Sequence, residues 1–189
     1  GHVEKPGVYE VEYGYPFAKF IHEDCGGIVA GGKLKCVIPG GISTKVLTAA
    51  EIEPLTLDHA SVAGAGSGLG SGGMIVMDET TNMVDVAKFF MEFCMDESCG
   101  KCIPCRAGTV QLFRLLAKIS ERRATHDDLA KLEALCDMVK HASLCGLGQS
   151  APNPVLSTLR YFRSEYEALI REDAPNGPLP QWVRLLANF

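Results

Sequence analysis

The distribution of apolar positions changes character near residue 78. Before it, short apolar runs alternate with glycine-rich turns. Residues 8–13 (V-Y-E-V-E-Y) alternate in part and stop at Gly14, which reads as a strand and turn. Phe17, Phe20 and Ile21 fall at helical spacing and predict a short helix over residues 16–22. The runs at 26–32 and 34–41 sit between glycines and read as short strands, and Met74, Ile75, Val76 and Met77 read as a buried strand behind a glycine-rich loop. Residues 1–77 are thus expected to form a small α+β unit, with one helix laid on a mixed sheet.

After Asp78 the apolar period lengthens to that of helices. Met83, Val86, Ala87, Phe90 and Cys94 form one stripe, on a helix capped by Thr81 or Asn82 and running to about Met95. A second helix is expected from Ala107 to Ser120. A third follows Thr125, whose spacing to Asp128 resembles a capping box, and runs to about His141. A fourth spans roughly residues 155–171. Residues 78–171 therefore read as a helical region, and 172–189 as a tail with no assigned structure.

Between the first two helices lies E-S-C-G-K-C-I-P-C-R at 97–106, and S-L-C-G-L-G follows at 143–148. Cys99, Cys102 and Cys105 make C-x2-C-x2-C, a spacing from which three thiolates of one loop reach three corners of an iron–sulfur cube, and Cys145 is the candidate fourth ligand. Helices of about 14 and about 16 residues run about 21 Å out and about 24 Å back at roughly 1.5 Å per residue. Joined by the short turn at 121–124, they form an antiparallel pair that returns Cys145 to the level of Cys105. Gly100, Gly146 and Gly148 let backbone approach closely.

Composition narrows the function classes. The 189 residues are 47% hydrophobic and 22% charged, with a net charge of −5, so nothing favours nucleic acid. No apolar run approaches the roughly 18 residues that cross a bilayer, and no secretory signal is visible. The eight cysteines in a chain with an ample core, three of them at metal spacing, point to metal in a reducing cytosol rather than to disulfides. The alternatives are a zinc-stabilised interaction module without redox activity and a disulfide-bearing docking scaffold.

The remaining candidates are weaker. G-L-G-S-G-G at 68–73 matches a dinucleotide fingerprint but leads into a strand instead of a helix, so it is set aside. Cys25, Cys36, Cys94 and Cys136 read as buried structural thiols. His141 suits the negative end of the third helix, and Lys101 and Arg106 can offset thiolate charge. No nucleophile–base pair or carboxylate dyad appears, so no catalytic residue is assigned.

The two cysteine strings, E-S-C-G-K-C-I-P-C-R-A-G at 97–108 and S-L-C-G-L-G at 143–148, closely resemble the NADH-binding flavoprotein subunit of respiratory complex I and its relatives. These relatives include the diaphorase subunits of NAD-reducing hydrogenases and of NAD-dependent formate dehydrogenases. The stretch S-A-P-N-P-V-L-S-T-L-R-Y-F at 150–162 resembles the hydrogenase and formate dehydrogenase branch more than the respiratory one. The opening residues G-H-V-E-K-P-G-V-Y resemble the first strand and turn of that subunit's β-grasp domain.

The resemblance implies a β-grasp-like domain over 1–77 and a four-helix bundle over 78–171. Cys99, Cys102, Cys105 and Cys145 would hold a [4Fe–4S] cluster. The cluster would take electrons from FMN, itself reduced by NADH, and pass them to [2Fe–2S] and other iron–sulfur partner subunits. Nothing here corresponds to the FMN- and NADH-binding domain, which is expected in a missing N-terminal part or a separate chain. Because the sequence opens at Gly1 rather than Met, it is expected to be a piece of a longer polypeptide. On this reading it holds the cluster but binds neither FMN nor NAD(H) by itself, and it works in the cytoplasm without entering a membrane.

Overall fold

A computed structural model describes residues 1–171; the tail assigned to 172–189 lies outside the described residues. The chain divides into two compact units. The first is Gly1–Asn82 with Asn153–Tyr161; the second is Met83–Pro152 with the segment from Phe162 onward.

The first unit is built on three strands, β1 (Leu34–Ile38), β2 (Leu47–Thr48) and β3 (Ile75–Asp78), in the order β2-β1-β3. Both pairs are antiparallel, with Val37 opposite Leu47 on one side and Val76 on the other. The sheet is therefore antiparallel and not mixed. The helical crossover from β2 to β3 makes those two strands point the same way, but β1 lies between them, so no parallel pair forms.

The expected helix near Phe17 is present as α1 (Phe17–Lys19), continued by a wider helical turn over Phe20–Asp24. Two further short helices follow, α2 (Ala49–Ile52) and α3 (His59–Gly64). They are too short to show a period, but their caps are legible. Glu51 accepts from the Thr48 amide at 2.9 Å, and Asp58 accepts from the Ser61 amide at 2.7 Å. Phe17, Ile21, Val37, Leu47, Ile52, Val62 and Val76 pack as the core.

Residues 8–12 are not a strand. They have no regular structure and are exposed, with Val8 fully in solvent. The alternation that predicted a strand is real, but an extended segment becomes a strand only where another pairs with it. The run at 26–32 gives one bridge, Val3 to Ile28, and then a tight turn over Val29–Gly31.

The second unit contains α4 (Met83–Asp96), α5 (Ile103–Ser120), α6 (His126–Ala142) and α7 (Gly146–Ser150). A final helix, α8 (Asn153–Glu167), departs from helical geometry at Phe162 (φ −129°, ψ 32°), and its residues from there on belong to this unit. α5 begins earlier than expected, at Ile103, so Cys105 lies in its first turn. Pro104 permits this, because the first turn of a helix has no use for its missing N–H.

α4, α5 and α6 run antiparallel in sequence. At one end Ser120 of α5 donates to Asp85 of α4 at 2.7 Å, and Lys118 of α5 donates to Asp128 of α6 at 2.7 Å. At the other end Gly108 of α5 meets Val139 of α6 so closely that a methyl group on Gly108 would lie 2.2 Å from a Val139 methyl. Leu112, Leu116, Leu132, Cys136, Met83 and Ala87 fill the interior.

The Thr125 capping box forms as expected. The Asp128 carboxylate accepts from the Thr125 amide at 2.8 Å as well as from Lys118. Burial pushes this carboxyl up, but the bonds from Lys118 and Thr125 outweigh it and hold it below the ordinary carboxylate range. A lowered folded-state value means that the stabilisation is complete above about pH 4 and is lost as pH falls through the folded value. Asp128→Asn should therefore lower stability by about 1 kcal/mol at pH 7, with the gap to wild type closing at acidic pH. Denaturant melts across pH 2.5 to 7 check this; a gap independent of pH would contradict it.

Candidate metal centre

Two loops of the second unit carry the four predicted cysteines. The first joins α4 to α5 and holds Cys99 and Cys102, with Cys105 one turn into α5. The second joins α6 to α7 and holds Cys145 just ahead of α7. The antiparallel return of α6 places the loops against each other. The Leu144 amide, with that of Cys105, directs its N–H at the Cys102 sulfur, and these contacts hold the Cys102 thiol below its usual range.

Cys105 lies at the centre of the group. It is 4% exposed, and burial pushes its thiol up. A hydrogen bond from Ser98 works the other way, whereas the charges of Cys102, Cys145 and Cys99 all resist its ionisation. Cys99, Cys102 and Cys145 therefore all lie within electrostatic reach of Cys105. Cys99 and Cys145 reach solvent, Cys102 is half-buried and Cys105 faces inward.

The four other cysteines are buried and spread over both units. Desolvation pushes the Cys94 thiol to about 11 and the Cys136 thiol to about 12. Both stay protonated at neutral pH and pack as small apolar groups. Cys94 is nevertheless near enough to Cys105 to feel its charge.

Among the described residues no three His, Cys, Asp or Glu side chains converge as a single metal ion requires. A tetrahedral zinc with Zn–S near 2.3 Å needs its sulfurs roughly 3.8 Å apart. An iron–sulfur cube takes one thiolate at each iron and accepts a wider ring. The donors around the ring fit such a cluster: four thiols, amides aimed at sulfur, and a buried hydroxyl, Ser143 Oγ, that has no hydrogen-bond partner.

Of the three glycines expected to allow close approach, Gly148 does so. A methyl group there would lie 2.4 Å from Ser143 Oγ and 3.0 Å from Cys105 Cβ. Gly100 serves a turn, with φ +75°, and its carbonyl accepts from Arg106 at 3.1 Å. Gly146 faces open space, so it is not a close-approach position. His141 lies in the last turn of α6, paired with Asp137 at 3.1 Å, in keeping with the helix-end reading. Lys101 is exposed beside Cys102. The glycine run at 68–73 leads into β3, with Gly70 pressed against Gly40, as a loop.

Two polar residues at the site escaped the sequence reading. Ser98 places Oγ 3.4 Å from Cys105 Sγ, and the Gly100 amide donates to the same oxygen at 3.4 Å. Ser143 is buried beside Gly148. Their only signal was nearness in sequence to Cys99 and Cys145.

Gly148→Ala should destabilise the loop that carries Cys145 by about 1–3 kcal/mol and lower its capacity to bind metal. Gly146→Ala should leave both unchanged. Thermal melts with iron content per chain separate the two; equal behaviour of the variants would count against the close packing at Gly148.

Comparison with known proteins gives one consistent answer. Residues 85–169 match the family model described as NADH-ubiquinone oxidoreductase-F iron-sulfur binding region. The HndC component of the NADP-reducing hydrogenase of Solidesulfovibrio fructosivorans is 44% identical over 168 residues, which is 89% of this chain and 34% of that protein. The F 2 component of the NADH-quinone oxidoreductase of Rhizobium meliloti is 40% identical over 172 residues, 91% of this chain and 41% of that protein. A crystal structure of an NAD+-reducing [NiFe]-hydrogenase in the H2-reduced state superposes with a TM-score of 0.81 at 29% identity, over 100% of this chain and 31% of that one. The chain thus spans 31–41% of the length of these relatives.

Proposed function

We propose that this chain, whose residues 85–169 belong to the iron–sulfur binding region family of NADH-ubiquinone oxidoreductase F, is the electron-relay part of an NAD(H)-dependent oxidoreductase complex. Cys99, Cys102, Cys105 and Cys145 are the ligands of a [4Fe–4S] cluster. The observation that carries this reading is the meeting of two loops 40 residues apart in sequence, which brings the Leu144 backbone of one beside Cys102 of the other and Ser143 beside Cys105. When bound, the cluster supplies one-electron storage, which no side chain here provides.

The chain's own residues hold and poise it. Four thiolates carry the ligand charge, amides of Leu144 and Cys105 offset that of Cys102, and Lys101 and Arg106 flank the first loop. The helices α4, α5 and α6 with the second half of α8 make the four-helix bundle that frames the site. Its last member is tied in where the Met83 amide donates to Glu165 at 3.0 Å and Arg163 pairs with Glu133. The first unit takes the β-grasp-like role.

In a complete complex, the cluster held by Cys99, Cys102, Cys105 and Cys145 would relay electrons between FMN, reduced by NADH and held outside this chain, and [2Fe–2S] and other iron–sulfur partner subunits. This reading rests on the resemblance carried by the two cysteine strings at 97–108 and 143–148; the relatives' names add NADH, NADP or NAD+ as the nucleotide. No described helix is long and apolar enough to cross a membrane, and the work is assigned to the reducing cytoplasm.

Anaerobically purified Cys145→Ser should lose most of its iron and its broad visible absorbance, whereas Cys25→Ser, altered at a buried thiol of the first unit, should keep both. Equal iron in the two variants and wild type would sink the ligand assignment.

A further inference from the structure

Two hydroxyls border Cys105, and neither is used by the ligand set. Ser98 Oγ lies 3.4 Å from Cys105 Sγ. The Gly100 amide donates to the same oxygen, which fixes its lone pairs and leaves its proton to point elsewhere. A thiolate ligand carries no proton, so in that pair the hydroxyl is the donor. Ser143 is the second case. It is 4% exposed, and its Oγ has no hydrogen-bond partner. A buried hydroxyl left without a partner is costly, so it marks a place where an acceptor is expected. Ser143 Oγ and Cys105 Cβ both lie within 3.0 Å of one point, the position of a methyl group on Gly148. The orphan therefore lies beside the Cys105 side chain.

We infer that Ser98 and Ser143 are positioning residues whose hydroxyls would donate hydrogen bonds to sulfur at the Cys105 corner of a bound cluster, Ser98 to the cysteine sulfur itself, and would thereby raise its reduction potential. This rests on the relay reading above. Its physical basis is charge. Reduction adds negative charge that the sulfurs share, so a donor aimed at sulfur binds the reduced form more strongly than the oxidised form. Removing the donor favours the oxidised form and lowers the potential. The two donors come from different loops, so each is tested independently of the other.

The test is an EPR-monitored redox titration of the full chain purified with its cluster, with iron counted in each sample. Ser98→Ala and Ser143→Ala should each move the midpoint to more negative potential, and the double variant should move it further. Ser98→Thr, which keeps a hydroxyl, should stay close to wild type. EPR reads only molecules that retain the cluster, so partial loss of iron in a variant does not mask its midpoint. Unmoved midpoints in both alanine variants would overturn the inference and leave the relay reading standing. A shift in Ser98→Thr as large as in Ser98→Ala would overturn the role of the hydroxyl at Ser98. A wild-type chain with no reducible cluster would overturn the relay reading itself.

Discussion

Everything at the cysteine site depends on the antiparallel return of α6 along α5. Cys145 follows Cys105 by 40 residues, and closing a flexible loop of that length costs about 3 kcal/mol beyond a constant. Two packed helices remove that cost from ligand binding, because folding has already met it. The pair is fixed at both ends by different physics. At the far end, Lys118 and the Thr125 amide share the Asp128 carboxylate. At the near end, Gly108 has no side chain and so lets Val139 settle against the α5 backbone. Between them the interior is apolar and closely filled. The placement of the four cysteines is thus a consequence of ordinary helix packing, set both about one turn from Cys105, at Gly108, and about 20 Å along the helix, at Lys118.

The electrostatics of the four loop cysteines differ from those of the buried thiols. Burial and three neighbouring thiols all resist charge on Cys105, while amides draw it onto Cys102. Cys94 and Cys136 show the opposite arrangement. Their thiols stay protonated, they fill apolar space, and no amide is arranged to charge them. Local environment, and not cysteine content, separates the two groups.

Much of this was legible in the sequence because the signals were long or chemically specific. The stripe from Met83 to Cys94 and the Thr125–Asp128 cap gave helices that are present within a few residues. The first unit was read less well. Residues 8–13 carry a strand's alternation but lack a partner, and pairing is not written in a local pattern. β2, α2, α3 and α7 are too short to show a period. The glycines divided according to packing that no single sequence reveals. Gly148 and Gly108 are needed for close approach, whereas Gly146 is not. Ser98 and Ser143 were invisible for the same reason, since only the fold shows what their hydroxyls face.

The most direct measurement is anaerobic analysis of iron and acid-labile sulfide on the purified chain, with EPR before and after dithionite. About four irons and four sulfides per chain, with a signal that appears on reduction, are expected. Zinc in place of iron, with no signal in either state, would contradict the relay and make these cysteines a structural site.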